Sequence, residues 1–362
     1  MKPLPFLATA FLFSIAALNA QNTADQATTQ ATTRALQSPQ PWATYQPAMP
    51  VDAAPGGGRR IVFVTGDDEY KSEESMPLMA RILAERHGFH CTVLFAIHKE
   101  TGVIDTSQRD NIPGLEALRS ADLMVIYTRF RALPDDQMRL IDDYLQSGKP
   151  VIGLRTATHA FSFPKDSTTA YASYHFSNPD GGFGRKVLGQ TWINHWGSHG
   201  KQSTRGVFAP GAASHPILRG IGDGEIWGPT DVYEATLPLP EGCAPVLLGQ
   251  VLQGMKPEDA PVTDEQLNGK WKRMVRVNEP MMPIAWTFTR PVGAHGRVFT
   301  STIGGAMAGT SDFASEGMRR LFVNACFWTL GLEDKMPARA DVAPLSPAHP
   351  FKRGVRPAEA LR

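Results

Sequence analysis

Short, β-branched apolar runs alternate with longer stretches of helical period through the first half of the chain, and this alternation constrains the fold most. The runs fall at residues 61–65, 91–97, 122–128 and 150–154, and the helical stretches at 76–86 and 137–146. Strands separated by helices in this rhythm build a parallel sheet. The pattern predicts a three-layer α/β domain, flavodoxin-like, with a mostly parallel sheet and helices on both faces. In the first helix Glu73 and Glu74 stand at the positive end, Pro77 lies in the first turn, and Met76, Met79 and Leu83 share one face. Pro134, Asp135 and Asp136 open the next helix. Met138, Ile141 and Leu145 form its apolar stripe, and Gly148 with Pro150 stops it. After Ala160 the pattern loosens. It returns with strands expected at 283–288 and 297–303 and a helix at 317–330, whose apolar face carries Met318, Leu321, Phe322, Ala325 and Trp328.

The two ends read differently. Lys2, an apolar run over 6–18 and Asn19-Ala20 before Gln21 resemble a secretory leader and its cleavage site. Residues 1–20 are therefore expected to be a signal peptide, which would export the protein to the periplasm or the medium. Residues 21–58 read as a flexible linker rich in Gln, Thr, Ala and Pro, 59–333 as the folded domain, and 334–362 as an extended C-terminal tail. The leader is shorter than the roughly 20 apolar residues of a membrane span, and no later stretch qualifies, so no membrane association is expected. Lys and Arg total 36 against 35 Asp and Glu, a net charge of +1. Nothing in that balance recruits nucleic acid. With three cysteines at least one is unpaired; Cys91 and Cys326 sit in apolar periodic segments and read as buried small hydrophobes, while Cys243 lies in a Pro/Gly-rich stretch.

In an open parallel sheet ligands bind beyond the carboxyl ends of the strands. Here the first strand runs into Thr65-Gly66-Asp67-Asp68-Glu69-Tyr70, another into Thr128-Arg129-Phe130-Arg131, and the next into Arg155-Thr156-Ala157-Thr158-His159. Carboxylates, guanidinium groups and an imidazole are thus expected at one edge. Two readings stand side by side: a binding or catalytic site, and an ion-pair network in which Asp67 or Glu69 neutralises Arg129 or Arg155.

His195 and His199 have a metal-ligand spacing, HxxxH. Trp196, Gly197 and Ser198 make a poor helix, however, and no Glu follows His195. Zinc or another divalent metal, with His159 or His175 as a further ligand, remains open beside a loop that binds a polar substrate and beside structural histidines. Trp192 and Trp196, among Asn194, Lys201 and Gln202, fit either a carbohydrate surface or ordinary burial.

The segments VTGDDEY, GLRTATHAF, NHWGSHGKQSTRG, HPILRGI, GRVFTSTIGG and EGMRRLFVNACFWTLGLE, in this order over residues 60–333, resemble a secreted branch of the ThuA-like (trehalose utilisation) family. The resemblance implies a fold like that of class I glutamine amidotransferases, with Gly153-Leu154-Arg155-Thr156-Ala157 where those enzymes carry a nucleophile elbow. Arginine is no nucleophile, so glutaminase chemistry is not expected. Members of the family often carry a histidine after the last strand's Leu-Gly; this chain reads Ile303-Gly304-Gly305. The family also implies sugar metabolism beside an oxidoreductase that makes 3-keto derivatives of disaccharides. On that basis Asp68, Glu69 and His159 are candidate acid/base groups, with Arg155 polarising or anchoring oxygen; Tyr70, Arg129, Trp196 and Lys201 are candidate substrate contacts. A noncatalytic carbohydrate-binding or complex-forming module and a metal-dependent hydrolase centred on His195 and His199 are the alternatives.

Overall fold

The computed structural model describes residues 40–290, 296–346 and 351–360. The expected signal peptide and the linker up to residue 39 lie outside the described residues. The chain forms β1 (Trp42–Tyr45), β2 (Arg60–Gly66), α1 (Ser72–His87), β3 (His90–Leu94), β4 (Leu123–Thr128), α2 (Asp135–Gln146), β5 (Val151–Leu154) and α3 (Gly182–Leu188). There follow β6 (Thr204–Phe208), β7 (Ile226–Gly228), β8 (Cys243–Val251), β9 (Gln266–Asn268), β10 (Arg273–Val275), β11 (Met282–Thr289) and β12 (Arg297–Ser301). β13 (Ala306–Met307), β14 (Thr310–Ser311), α4 (Glu316–Thr329) and α5 (Pro357–Ala360) complete the order.

One ten-stranded sheet runs β1-β3-β2-β4-β5-β12-β11-β8-β6-β7. Its heart, β3-β2-β4-β5-β12, is parallel as the alternating pattern predicts. Beyond β12 the strands β11, β8, β6 and β7 pair antiparallel, and β1 closes the other edge antiparallel to β3. Apart from β11, which matches the strand expected at 283–288, the antiparallel wing comes from the stretch where the sequence pattern loosens.

Strand side chains alternate between faces, and β2 shows what each face buries. Ile61 and Phe63 pack in one cluster with Met76, Met79 and Leu83 of α1 and Met318, Leu321 and Phe322 of α4. Val62 and Val64 pack in another with Met138, Ile141 and Leu145 of α2 and Phe183 and Leu188 of α3. A strand buried on both sides must be apolar throughout, which is why β2 reads as an unbroken run. Gly88 ends α1 at φ 77°, its amide bonding Ala84 O, in the left-handed conformation that glycine adopts without strain. Among the described residues no helix is long and apolar enough to cross a membrane.

Two segments depart from the expected boundaries. Trp42–Tyr45, inside the expected linker, is an edge strand with Ala43 and Tyr45 buried, because its alternation supplies apolar side chains to the free edge of β3. The described part of the expected tail packs down: Met336, Ala340, Val342, Phe351 and Ala360 join the α1/α4 cluster, and Phe351 stacks on Phe95 at 5.3 Å. Cys91 and Cys326 are buried and free, as their apolar context implies; Cys243 is also free and half-buried.

Candidate functional site at the carboxyl edge of the parallel strands

Asp67 follows β2 directly and is buried. Its carboxylate accepts the Thr156 hydroxyl and the amides of Glu69 (2.7 Å) and Tyr70 (2.6 Å), so it staples the loop after β2 to the turn after β5. Burial pushes its pKa up, against the pull of those donors. The stapled loop presents Asp68 and Glu69 outward, and both meet Arg129 at the end of β4, at 2.9 and 3.0 Å. The Arg129 amide donates to Gly66 O and so continues the β2–β4 ladder into the site.

Arg155 occupies the turn after β5 with φ 44°. A non-glycine residue in the left-handed region is uncommon and persists where surroundings hold it. Here they do. The guanidinium, fully buried, donates to Asp231 O (2.7 Å), Thr302 O (2.6 Å), Asp231 Oδ1 (2.9 Å) and Tyr70 Oη (3.1 Å). It also lies between the rings of Tyr70 and Tyr233, 4.6 and 3.7 Å from their centroids. One side chain thus joins the ends of β5 and β12, the β2 loop and the segment after β7.

Asp231 is the centre of the arrangement. Besides Arg155, its carboxylate meets His195 Nδ1 at 2.8 Å through Oδ2 and His199 Nδ1 at 3.0 Å through Oδ1. Burial alone would raise its pKa, but the Arg155 charge and the two imidazole contacts outweigh it and hold the carboxyl well below the usual range. The imidazoles sit 4.5 Å apart, tilted by 53°. His199 Nε2 lies 3.4 Å from Glu69 Oε1. The hydrogen bond to Asp231 is the largest influence on His199 and raises its pKa. Residues 195–199 are irregular backbone, so the two histidines meet through Asp231 and not through a helix face.

Side chains of Asp68, Glu69, Arg129, His195 and His199 are each 25–35% exposed, so these five form the solvent-reachable rim. Other expected members lie elsewhere. Arg155 is sealed beneath the rim, so it is not placed to touch a ligand from solvent. His159 is buried among Phe130, Trp192 and Tyr233, with Nδ1 3.2 Å from Thr158 Oγ1. Burial, then the charges of Arg129 and Arg155, push its pKa well below the ordinary value, which keeps it neutral. Tyr70 is buried, and its hydroxyl is taken by Arg155 and Tyr233. Trp196 is mostly buried and donates its indole N–H to Val277 O at 2.9 Å, yet it also forms part of the wall of the cavity beside His195. Lys201 is exposed and joins its loop through its backbone amide on Ser198 O. His175 contacts Ser162 and Ser177, away from His195 and His199.

Beside His195 opens a cavity of about 560 Å³ whose wall includes Trp192, Asn194, His195, Trp196, Gln266, Asn268 and Lys270. Its outer wall is the β9–β10 hairpin, clipped to the histidine loop by Asn194 donating to Asn268 Oδ1 and Lys270 donating to Ile193 O. Neither the hairpin nor Asp231 stands out in the sequence. Asp231 follows a three-residue strand at the far edge of the antiparallel wing, where the rule for parallel strand ends does not look.

The sequence matches the family model described as "ThuA: Trehalose utilisation" over residues 60–329. Among solved structures, a putative ThuA-like protein from Bacteroides uniformis is 14% identical, with 75% of this chain and 91% of that chain covered and a TM-score of 0.46. A putative ThuA-like protein from Parabacteroides merdae is likewise 14% identical, with 75% and 90% covered and a TM-score of 0.39. The curated proteins give no match.

Proposed function

The chain belongs to the ThuA (trehalose utilisation) family, and from that membership we propose that it is an enzyme acting on a sugar or keto-sugar at the rim of Asp68, Glu69, Arg129, His195 and His199. The observation that carries this reading is the single buried carboxylate of Asp231 holding two partly exposed imidazoles beside Glu69. When one ring nitrogen is fixed on a carboxylate, the other is fixed in direction as well. Both outer nitrogens are thereby aimed at the rim, where a protonated His199 donates to a carbonyl or hydroxyl oxygen, and Asp68 or Glu69 supplies a base for the proton beside it. Arg155 and Tyr70 are positioning residues in this scheme, acting through Asp231. The adjacent cavity, with two indoles, three carboxamides and an ammonium in its wall, suits the non-reacting part of the sugar.

Glutaminase chemistry has no support, because the elbow position holds a buried arginine. The proposal extends to setting: an exported protein, periplasmic or secreted, with the layered sheet of a class I glutamine amidotransferase-like domain, fed by a sugar oxidoreductase that supplies the ketone. The test is a turnover screen over trehalose, sucrose and their 3-keto forms. His199→Ala and Asp68→Asn are each expected to lower turnover by about 100-fold or more while the melting temperature moves by only a few degrees. Turnover that survives both substitutions overturns the assignment, and binding without product assigns the rim to a noncatalytic carbohydrate module.

A further inference from the structure

We infer that the ligand of the rim is a carbohydrate chain longer than a disaccharide, and that one of its outer pyranose rings stacks on Trp271 at the tip of the β9–β10 hairpin. The inference rests on the sugar reading of the rim and extends it to the size of the ligand. Trp271 lies in the turn between β9 and β10 and is 45% exposed, yet its side chain is fixed. Its backbone amide donates to Asn268 Oδ1 at 3.0 Å, and its indole N–H reaches both carboxylate oxygens of Glu234, at 2.9 and 2.8 Å. The Lys270 ammonium stands over the ring, 4.9 Å from its centroid. An exposed tryptophan held in this way is a preorganised contact, because the ordering that a loose side chain would undergo on binding is already made.

The two groups that hold the indole also tie it to the cavity beside His195. Lys270 lines that cavity and donates to Ile193 O, while the Glu234 amide donates to Asn194 O at 2.9 Å; Ile193 and Asn194 belong to the same wall. Leu267, 64% exposed, lines the cavity too and pairs across the hairpin with Met274. The chemistry of the patch selects its occupant. A dry protein interface would strip water from the half-buried Glu234 carboxylate and the exposed Lys270 ammonium, which is costly unless each charge finds a new partner. A pyranose ring offers an apolar C–H face to the indole and hydroxyls to both charges. A carboxylate has about four acceptor positions and an ammonium three donors, so Glu234 and Lys270 keep capacity beyond their bonds to Trp271 and Ile193. The rim takes the reacting ring and the cavity the next, so Trp271, beyond the cavity wall, serves a later one.

The experiment is calorimetric titration of the purified full-length protein with two series of sugars, maltose to maltohexaose and cellobiose to cellohexaose. In one series affinity is expected to rise by about tenfold or more beyond the disaccharide. Trp271→Ala should abolish that gain and leave disaccharide affinity unchanged, and Trp271→Phe, which keeps a ring without the N–H, should retain most of it. Affinity independent of chain length in both series overturns the inference, as does a gain that survives Trp271→Ala. A change in the oligomeric state of Trp271→Ala on size exclusion overturns it as well, since the hairpin would then be a contact between copies of this chain. Binding is read without turnover, so the two readings fail separately. A length-dependent gain in a protein inert toward every sugar removes the proposed enzyme and leaves the site, while turnover of keto-disaccharides without that gain keeps the enzyme and removes the site.

Discussion

At Asp231 one carboxylate, closed to water, meets a guanidinium and two imidazoles. Removing one partner of a buried ion pair leaves an uncompensated charge, which typically costs about 3–5 kcal/mol. Asp231→Asn and Arg155→Met are each expected to lose stability on that scale in urea unfolding, and the double variant to lose less than the sum. Single variants within about 1 kcal/mol of the parent would contradict the pillar role of Arg155. Acid should act on the same group. With its carboxyl held below the ordinary range, the stability Asp231 contributes is present above about pH 3.9 and is lost as pH falls further. Glu69, Arg129, His195 and His199 were legible because they follow strand ends or share a ligand spacing. The inward turn of Arg155 and His159 was not, since polar identity at a strand end says nothing about direction; that depends on backbone angles such as φ 44° at Arg155.

Helix α1 shows how far element-level signals reach. Glu73 and Glu74 both suit its first turn, yet they part company. Glu74 pairs with Lys71 at 3.1 Å on the surface, whereas Glu73 is buried with Oε2 lacking a partner. Burial pushes Glu73 from the ordinary 4.5 up to about 7, so the cost of desolvation exceeds what the helix dipole returns. A raised carboxyl favours the folded state most when neutral. Its contribution is fully present below about pH 4.3 and is lost as pH rises through about 7. Glu73→Gln is expected to flatten the fall in melting temperature across that window; an unchanged pH profile would refute it. Periodicity located α1, α2, α4 and the strands of the parallel heart. It set the start of α1 too late, because Ser72 to Ser75 are polar but mostly buried and carry no apolar period.

Over the whole molecule, loops from the parallel heart and from the antiparallel wing converge on one site: the rim residues Asp68, Glu69 and Arg129 from the first, and from the second the rim residues His195 and His199 with the buried Asp231 beneath them. The heart and β11 were legible in sequence; the rest of the wing was not, since irregular segments divide its strands and leave no sustained period. Composition also hid the terminal strap, whose Pro- and Ala-rich run tucks Phe351 against Phe95 and lets Arg319 bond Val342 O at 2.8 Å. Phe351→Ala is expected to lose about 3–5 kcal/mol, and a loss within error in chemical denaturation would return the segment to a loose tail. The claim that binds these scales together is that the rim moves a proton beside a sugar ketone. Proton NMR of 3-keto-trehalose in D₂O tests it most directly: the wild-type protein should replace hydrogen by deuterium at the carbon next to the ketone, and Asp68→Asn at equal folded concentration should not. A wild-type protein that binds the ketone and leaves that C–H untouched would contradict the account.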